Sequence, residues 1–449
     1  AKTFHSDRCI MIEWGMNIFI SGIGGAGMGP LAEIAHQAGF RVTGSDKQAS
    51  SYVDYLRKHG ISDIHIGQTV ENIAKTHAET PIDWLVYSSA VTLENPNPPE
   101  LQFARDHGIR VSKRDELLNL ILDEKKLDMI AIAGTHGKTT TTAMMVFLMQ
   151  ELGQPISYLL PAKTSFADMG KYDPTSRWFV YEADEFDRNF LAFHPKVSLV
   201  VGVAYDHHEI FPTRDDYNVA FREFIGQSAQ TFMWRTDAEN IGVRDTANVQ
   251  LLDEDEQINK ISILGHYNRL DAWLVAQTVH DITGEPLDKL VEIMAKFPGL
   301  GRRMEQIAPN LYSDYAHTPE KIVGAMSVAR EMATETGQKL VIVYEPLTNR
   351  RQTYILDEYK NIFKGANKLY WAPSYLAREP KSLRIIPPAE LIEHLDDETR
   401  TVAEPAEMND ELKKKIDEHL SHGDLVVAMT GGGGNSLDSW LRENFSLSH

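Results

Sequence analysis

A single cysteine, Cys9, stands in 449 residues, so no internal disulfide can form, and a chain of this length without one fits a reducing, cytoplasmic setting. No apolar run approaches the roughly 20 residues that a membrane-spanning helix needs, so no membrane insertion is expected. Basic charge is also scarce. Lys and Arg number 45 against 64 Asp and Glu, a net charge of -19. That balance argues against a broad footprint for nucleic acid or anionic lipid, and any anionic ligand has to be captured locally. Short-period repeats and low-complexity tracts are missing too. The opening "AKTFHSDRCIMIEWGMN" has no apolar signal-peptide core; residues 1–15 read as an extension, with Met11 or Met16 as candidate natural starts.

What the chain has is alternation. Short β-branched runs such as "MNIFISG", "MIAIAGT", "WFVYEAD", "VSLVVGV" and "KLVIVYEP" are separated by longer helical patterns, the mark of parallel sheets with crossover helices. The pattern recurs in three blocks, predicting an α/β protein of three domains, 1–123, 124–299 and 300–449. The first boundary lies in the polar stretch "LILDEKKLD", and the second lies where Pro298, Gly299 and Gly301 favour a hinge.

Two glycine loops follow strands. In "FISGIGGAGMGPLAEIA", Gly22, Gly24 and Gly27 match Gly-x-Gly-x-x-Gly, and Asp46 ends the next strand, as in dinucleotide folds. Missing side chains there would let the backbone and a helix N-terminus approach a pyrophosphate. In "AIAGTHGKTTTTAMM", Gly134, Gly137, Lys138 and Thr139 end a buried strand and open what reads as an amphipathic helix. Such a loop wraps phosphates, its lysine neutralises charge, and its hydroxyl holds Mg²⁺. Ile132 sits where the longer phosphate loops carry their first glycine. A desolvated lysine at this place would be costly without an anion, which favours a phosphate ligand over a structural role. "YEADEFD" then supplies Glu182, Asp184, Glu185 and Asp187, and "VAYDHHEIF" supplies Asp206, His207 and His208, both at strand C-termini expected to flank the loop.

The loop "GTHGKTTTT", then "EADE", "DHH", "GHYNRLDA", "RRME" and "SDYAHTP" occur in an order that resembles the Mur ligases, ATP-dependent amide-forming enzymes of peptidoglycan synthesis. The resemblance spans nearly the whole chain. It implies a Rossmann-like N-terminal domain for a UDP-sugar, a central P-loop ATPase-like domain, and a Rossmann-like C-terminal domain for the amino substrate, acting as a monomer or weak dimer. The first-domain stretches "GIGGAGM", "TGSD", "YSSA" and "SKRDELL" resemble the branch acting on UDP-N-acetylmuramate, and place Gly22, Gly24, Gly25, Ala26, Gly27, Met28, Asp46, Ser88 and Ser89 at the sugar nucleotide. The lysine that other branches carbamoylate falls at Phe221, as this branch leads one to expect.

The resemblance further implies ATP contacts by Gly134, Thr135, Gly137, Lys138, Thr139, Thr140, Asn268 and Asp271, and Mg²⁺ held by Thr139, Glu182 and His207. Lys138, His207, Arg302, Arg303, Asp314 and His317 would serve catalysis, and Arg351 would hold the amino substrate's carboxylate. His136 reads as a loop-packing residue rather than a base. Departures exist: "GHYNRLD" keeps Asn268 but has Tyr267 and Asp271 where the family's adenine motif has His and a second Asn. The amine is expected to be L-alanine, with L-alanyl-γ-D-glutamyl-meso-diaminopimelate as the alternative. Two other classes stay open, a nicotinamide-dependent dehydrogenase, which leaves the second loop unexplained, and a non-catalytic nucleotide-binding relative.

Overall fold

The computed structural model describes residues 15–203, 210–263, 265–300, 304–346, 348–375, 384–431 and 436–445, and within these it leaves the side chains of residues 90, 93, 94, 320, 350, 351 and 354 undescribed. Most of the expected N-terminal extension therefore lies outside the described residues. Three sheets run in sequence. The first contains β1 (Asn17–Ser21), β2 (Arg41–Asp46), β3 (Ile64–Ile66), β4 (Trp84–Tyr87) and β5 (Arg110–Lys113) in the order β3-β2-β1-β4-β5, with every pairing parallel. The order reverses direction beside β1, and at such a switch point the loops at the strand C-termini open a crevice.

The second sheet takes β6 (Asp128–Gly134), β7 (Ile156–Leu159), β8 (Gly170–Lys171), β9 (Trp178–Glu182), β10 (Val197–Val201), β11 (Thr231–Trp234) and β12 (Val249–Leu252) in the order β12-β11-β10-β6-β9-β7-β8. The apolar run of β6 is buried from Met129 to Gly134, as a strand covered on both faces must be. It lies between β10 and β9, so the strand carrying the second glycine loop is flanked by the two strands that end in acidic stretches. The helix Lys138–Glu151 departs from the amphipathic reading: every residue from Thr141 to Met149 is buried. Its "TTTTAMMVFLM" has no charged face, and a helix apolar all round belongs inside.

The third sheet holds β13 (Glu305–Ala308), β14 (Leu311–Asp314), β15 (Leu340–Glu345), β16 (Lys368–Trp371), β17 (Ala403–Pro405) and β18 (Leu425–Thr430) in the order β13-β14-β18-β15-β16-β17. Only the edge pairs β7–β8 and β13–β14 are antiparallel among the described strands. By packing, the chain forms two compact units, one of residues up to 257 with 271–297, the other of 258–270 with 298 onward. Within the first unit, the helix Arg114–Lys125 runs through Asp123 and turns only at Lys126, whose φ of 53° ends it in the left-handed region. It buries Leu117, Leu118, Ile121 and Leu122 in a core shared by the first two sheets.

Phe221, where the resemblance puts the position of a modified lysine, is fully buried, its ring 4.9 Å from Tyr217 and 5.2 Å from Phe190. A charge there would have no counter-ion among these rings. Phe221→Ala should lower the unfolding free energy by about 3–5 kcal/mol through the cavity it leaves. Denaturant titration reads this, and a loss below about 1 kcal/mol would contradict the packing.

Candidate functional site

The second glycine loop is fixed by what its glycines avoid. A Cβ on Gly134, whose φ is +146°, would lie 1.7 Å from the Val201 carbonyl oxygen, and one on Gly137, φ +80°, would lie 2.5 Å from Asp271 Oδ2. Only glycine permits both the backbone conformation and the approach. The loop folds over β10: the N–H groups of Thr135 and His136 donate to Gly202 O at 3.1 and 3.3 Å, and Thr135 Oγ1 lies 2.5 Å from Tyr217 OH. Lys138 then begins the buried helix.

Its ammonium is the centre of the site. Lys138 Nζ donates to Gly134 O at 2.8 Å and to Glu185 Oε2 at 2.5 Å, and Asp184 Oδ1 lies 3.5 Å away. Burial pulls the lysine pKa down, but Glu185, Asp184 and Glu182 together outweigh it and the net shift is upward. The expectation that this lysine would lack an anion without phosphate is thereby corrected. Glu185, fully buried, supplies one, because the loop after β9 folds its carboxylate back under the lysine. Phosphate binding must be argued from the loop as a whole.

The four carboxylates after β9 take separate tasks. Glu182, at the strand end, is raised in pKa by burial against the opposing pull of Lys138 and the Thr139 hydroxyl, and its Oε2 is buried with no hydrogen-bond partner. Asp184 and Glu185 serve Lys138. Asp187 turns to the first sheet, accepting from Lys113 Nζ at 2.6 Å and from Ser89 Oγ at 3.3 Å. It and Arg188 hold φ of 54° and 56°, a costly pair of left-handed non-glycine residues fixed where the two sheets' loops meet. Orphaned Glu182 Oε2 beside the Thr139 hydroxyl is a donor set that fits a hard cation completing its shell with phosphate and water. No group of three or more His, Cys, Asp or Glu side chains suited to a metal exists among the described residues, and His207, with Asp206 and His208, lies outside them.

Asp271, placed by sequence in the adenine region, lies under the phosphate loop, its carboxylate against Gly137 and beside the Thr141 hydroxyl. Burial pushes its pKa up to about 8. In the second unit, Asn268 lies beside Gly265, whose added Cβ would be 3.1 Å from Asn268 Nδ2. Asp314 and His317 are buried at and just after the end of β14, with Asp314 Oδ2 accepting from Met304 N at 2.9 Å. Arg302 and Arg303 lie outside the described residues. Arg351 falls on the helix Asn349–Ile355, its side chain outside what is described.

At the first glycine loop, two of the glycines answer to protein neighbours, which revises the reading that all keep space for a ligand. A Cβ on Gly24 would stand 2.9 Å from Asp46 Oδ2 and from Val53, and one on Gly27 would stand 2.4 Å from Arg114 Nη1. Asp46 accepts from Gly24 N at 2.8 Å and so shapes the loop itself. Gly25 faces only the Gly22 carbonyl, at 3.3 Å. Ser88 precedes the short helix Ser89–Glu94, and its hydroxyl lies 3.7 Å from where a Gly22 Cβ would be. Sequence reasoning quoted Arg114 within "SKRDELL" without a role and offered Glu185 only as one of four carboxylates for a metal beside the loop; a buried lysine's need for a counter-ion was the signal that could have found Glu185's task. Glu100 was passed over too. It is buried beneath this loop, accepts from Ser21 Oγ at 2.6 Å, and burial raises its pKa to about 7.

A doubly wound glycine-loop sheet packed in one unit with a phosphate-loop sheet defines the nucleotide-binding α/β class. Residues 17–126 match the family described as Mur ligase family, catalytic domain. A UDP-N-acetylmuramate--L-alanine ligase of Symbiobacterium thermophilum is 30% identical over 456 residues, covering 92% of this chain and 91% of that protein. The UDP-N-acetylmuramate-alanine ligase of Thermotoga maritima shares the fold with a TM-score of 0.70 at 21% identity, over 93% of this chain and 96% of that one. A murein peptide ligase of Psychrobacter arcticus does so at 0.60 and 21%, over 96% and 100%. The chain belongs to the Mur ligase family.

The buried Asp271 gives a pH prediction. Its folded pKa of about 8 lies above the ordinary aspartate value, so the folded state keeps a proton that the unfolded chain releases. The stabilisation is complete at acid pH, is lost progressively from about pH 4 up to the folded value, and changes no further above it. Asp271→Asn removes this dependence, so the variant should gain on the wild type in thermal melts as pH rises from about 5 to about 8. An equal difference in Tm at both pH values would contradict the buried neutral carboxyl.

Proposed function

We propose that the chain joins the lactyl carboxylate of UDP-N-acetylmuramate to L-alanine at the expense of ATP. One observation carries the reading: Lys138, on a phosphate loop, is held by Glu185 and Asp184 in the same compact unit as the first glycine loop. The names of full-length relatives at about 30% identity supply the substrates. We assign the sugar nucleotide to residues 1–123, ATP to 124–299 and the amine to 300–449.

A carboxylate resists attack by an amine until it is activated. In this reading the lactyl carboxylate attacks the γ-phosphate, giving an acyl phosphate and ADP, and the amine then displaces phosphate. Lys138 passes from Glu185 to the phosphate oxygens and spreads the charge of the transferring group. Glu182 and Thr139 would hold Mg²⁺, which neutralises phosphate charge when bound, with His207 as a further candidate ligand. Gly134, Thr135, Gly137 and Thr140 contribute loop contacts, and Asp271 supports the loop from below. Asn268 is assigned to the adenine side. Arg302, Arg303, Asp314 and His317 are assigned to the acyl-phosphate end, and Arg351 to the amine's carboxylate, where a guanidinium fork fits. Gly22, Gly24, Gly25, Ala26, Gly27, Met28, Asp46, Ser88 and Ser89 frame the sugar nucleotide.

The fold likeness to the murein peptide ligase favours a second reading, with a peptide as the amine. An amine screen separates them. With UDP-N-acetylmuramate and ATP, L-alanine should drive phosphate release and add one alanyl residue to the product mass. Turnover of L-alanyl-γ-D-glutamyl-meso-diaminopimelate with none of L-alanine would overturn the choice of amine.

A further inference from the structure

Glu100 is a buried acid that the ligation chemistry leaves unused. It belongs to the first turn of the helix Pro99–Asp106, is 1% exposed, and reaches beneath the first glycine loop. The two serines it faces, Ser21 and Ser45, are register partners on β1 and β2. Both strand ends shape the loop: Ser21 directly precedes Gly22, Ser45 O accepts from Gly22 N and Ile23 N at 2.8 and 3.0 Å, and Asp46 Oδ2 accepts from Gly24 N at 2.8 Å. Ser21 Oγ donates to Glu100 Oε2 at 2.6 Å and accepts from Gln68 Nε2 at 2.9 Å. No cation pairs with Glu100 among the described residues, and the charged group that faces it, Asp46, has the same sign. Ser45 Oγ faces the carboxyl without completing a hydrogen bond, so it and Glu100 Oε1 are both buried and unsatisfied. One proton on the carboxyl, donated to the serine, satisfies both. The helix N-terminus favours the charged form. Burial nonetheless prevails and lifts the pKa to about 7.

We propose that Glu100 is a positioning residue whose protonation is coupled to the loop's ligand, so that binding the nucleotide sugar draws a proton onto Glu100. A diphosphate brings negative charge to a loop already supported from below by Asp46 and Glu100, and like charges in a poorly solvated place raise one another's proton affinity. The neutral carboxyl removes that repulsion and bridges the Ser21 and Ser45 strand ends. The ionised one leaves Ser45 Oγ and its own Oε1 unsatisfied while the anion arrives. By linkage, a ligand that raises the pKa of a group binds the protonated form more tightly, so affinity for the nucleotide sugar falls as pH rises. This rests on the reading of the first sheet as the nucleotide-sugar domain.

The probe is UDP-N-acetylmuramate, whose diphosphate is esterified at both ends and whose lactyl carboxyl is an ordinary acid, so neither takes up a proton near neutrality. Calorimetry in two buffers of different ionisation enthalpy counts the protons bound with the ligand. The wild type should take up about half a proton at about pH 7.5 and bind about fivefold more weakly at about pH 8 than at about pH 6. Glu100→Gln, which keeps the neutral shape at every pH, should abolish most of that uptake and flatten the affinity. Ser21→Ala removes a hydrogen bond that favours the charged form, so its affinity should break at a higher pH than the wild type's. A purely structural Glu100 would lower Tm on substitution and leave the proton count alone. Binding by the wild type without proton uptake, or equal uptake in folded Glu100→Gln, overturns the proposal. If Glu100→Gln does not fold, an unshifted break in Ser21→Ala overturns it instead. A wild type that does not bind UDP-N-acetylmuramate at any of these pH values refutes the nucleotide-sugar reading, and this inference with it.

Discussion

Removing an ammonium from water costs several kcal/mol unless an anion comes with it, and the centre of this protein is arranged around that constraint. Lys138, its side chain only 12% exposed, heads a helix whose middle, from Thr141 to Met149, is interior, so its counter-ions arrive from a neighbouring strand. β9 lies directly against β6, and the loop that follows it bends Glu185 and Asp184 onto the lysine. The same loop spends Asp187 on Lys113 and Ser89 of the first sheet. One acidic segment thus neutralises the phosphate-loop lysine and ties the phosphate loop's sheet to the first glycine loop's sheet.

This arrangement suits a lysine that exchanges partners. Glu185 helps to keep the ammonium charged and holds it beside Gly134 O, and a phosphate replacing it would meet a group already positioned, so little is spent on ordering at the moment of reaction. Glu182, with one carboxylate oxygen left unsatisfied, marks where positive charge is still wanted.

Much of this was legible in the sequence. The alternation of apolar runs and helical patterns foretold three sheets that are parallel but for two edge pairs, and the apolar run before "GTHGKT" foretold a buried strand, because strand burial follows directly from local side-chain pattern. The acidic end of β9 beside the loop was also foreseen. What could not be read depends on contacts between distant segments. Glu185 as the anion under Lys138, Asp271 under Gly137 and Arg114 against Gly27 join residues 47, 134 and 87 positions apart, and no spacing rule encodes such pairs. The helix Lys138–Glu151 was misread as amphipathic because its threonines look polar, although Thr142 satisfies its hydroxyl within the helix, on Lys138 O at 2.8 Å.

The central claim is that Lys138 works on a phosphoryl group and not merely as the partner of Glu185. The most direct measurement compares wild type and Lys138→Ala for ADP formation dependent on UDP-N-acetylmuramate and amine, with calorimetric affinity for the sugar nucleotide measured alongside. The account predicts a loss of at least about 100-fold in turnover, equivalent to ~3 kcal/mol of transition-state stabilisation, with sugar-nucleotide affinity unchanged. Turnover within about tenfold of wild type in a folded variant would contradict it.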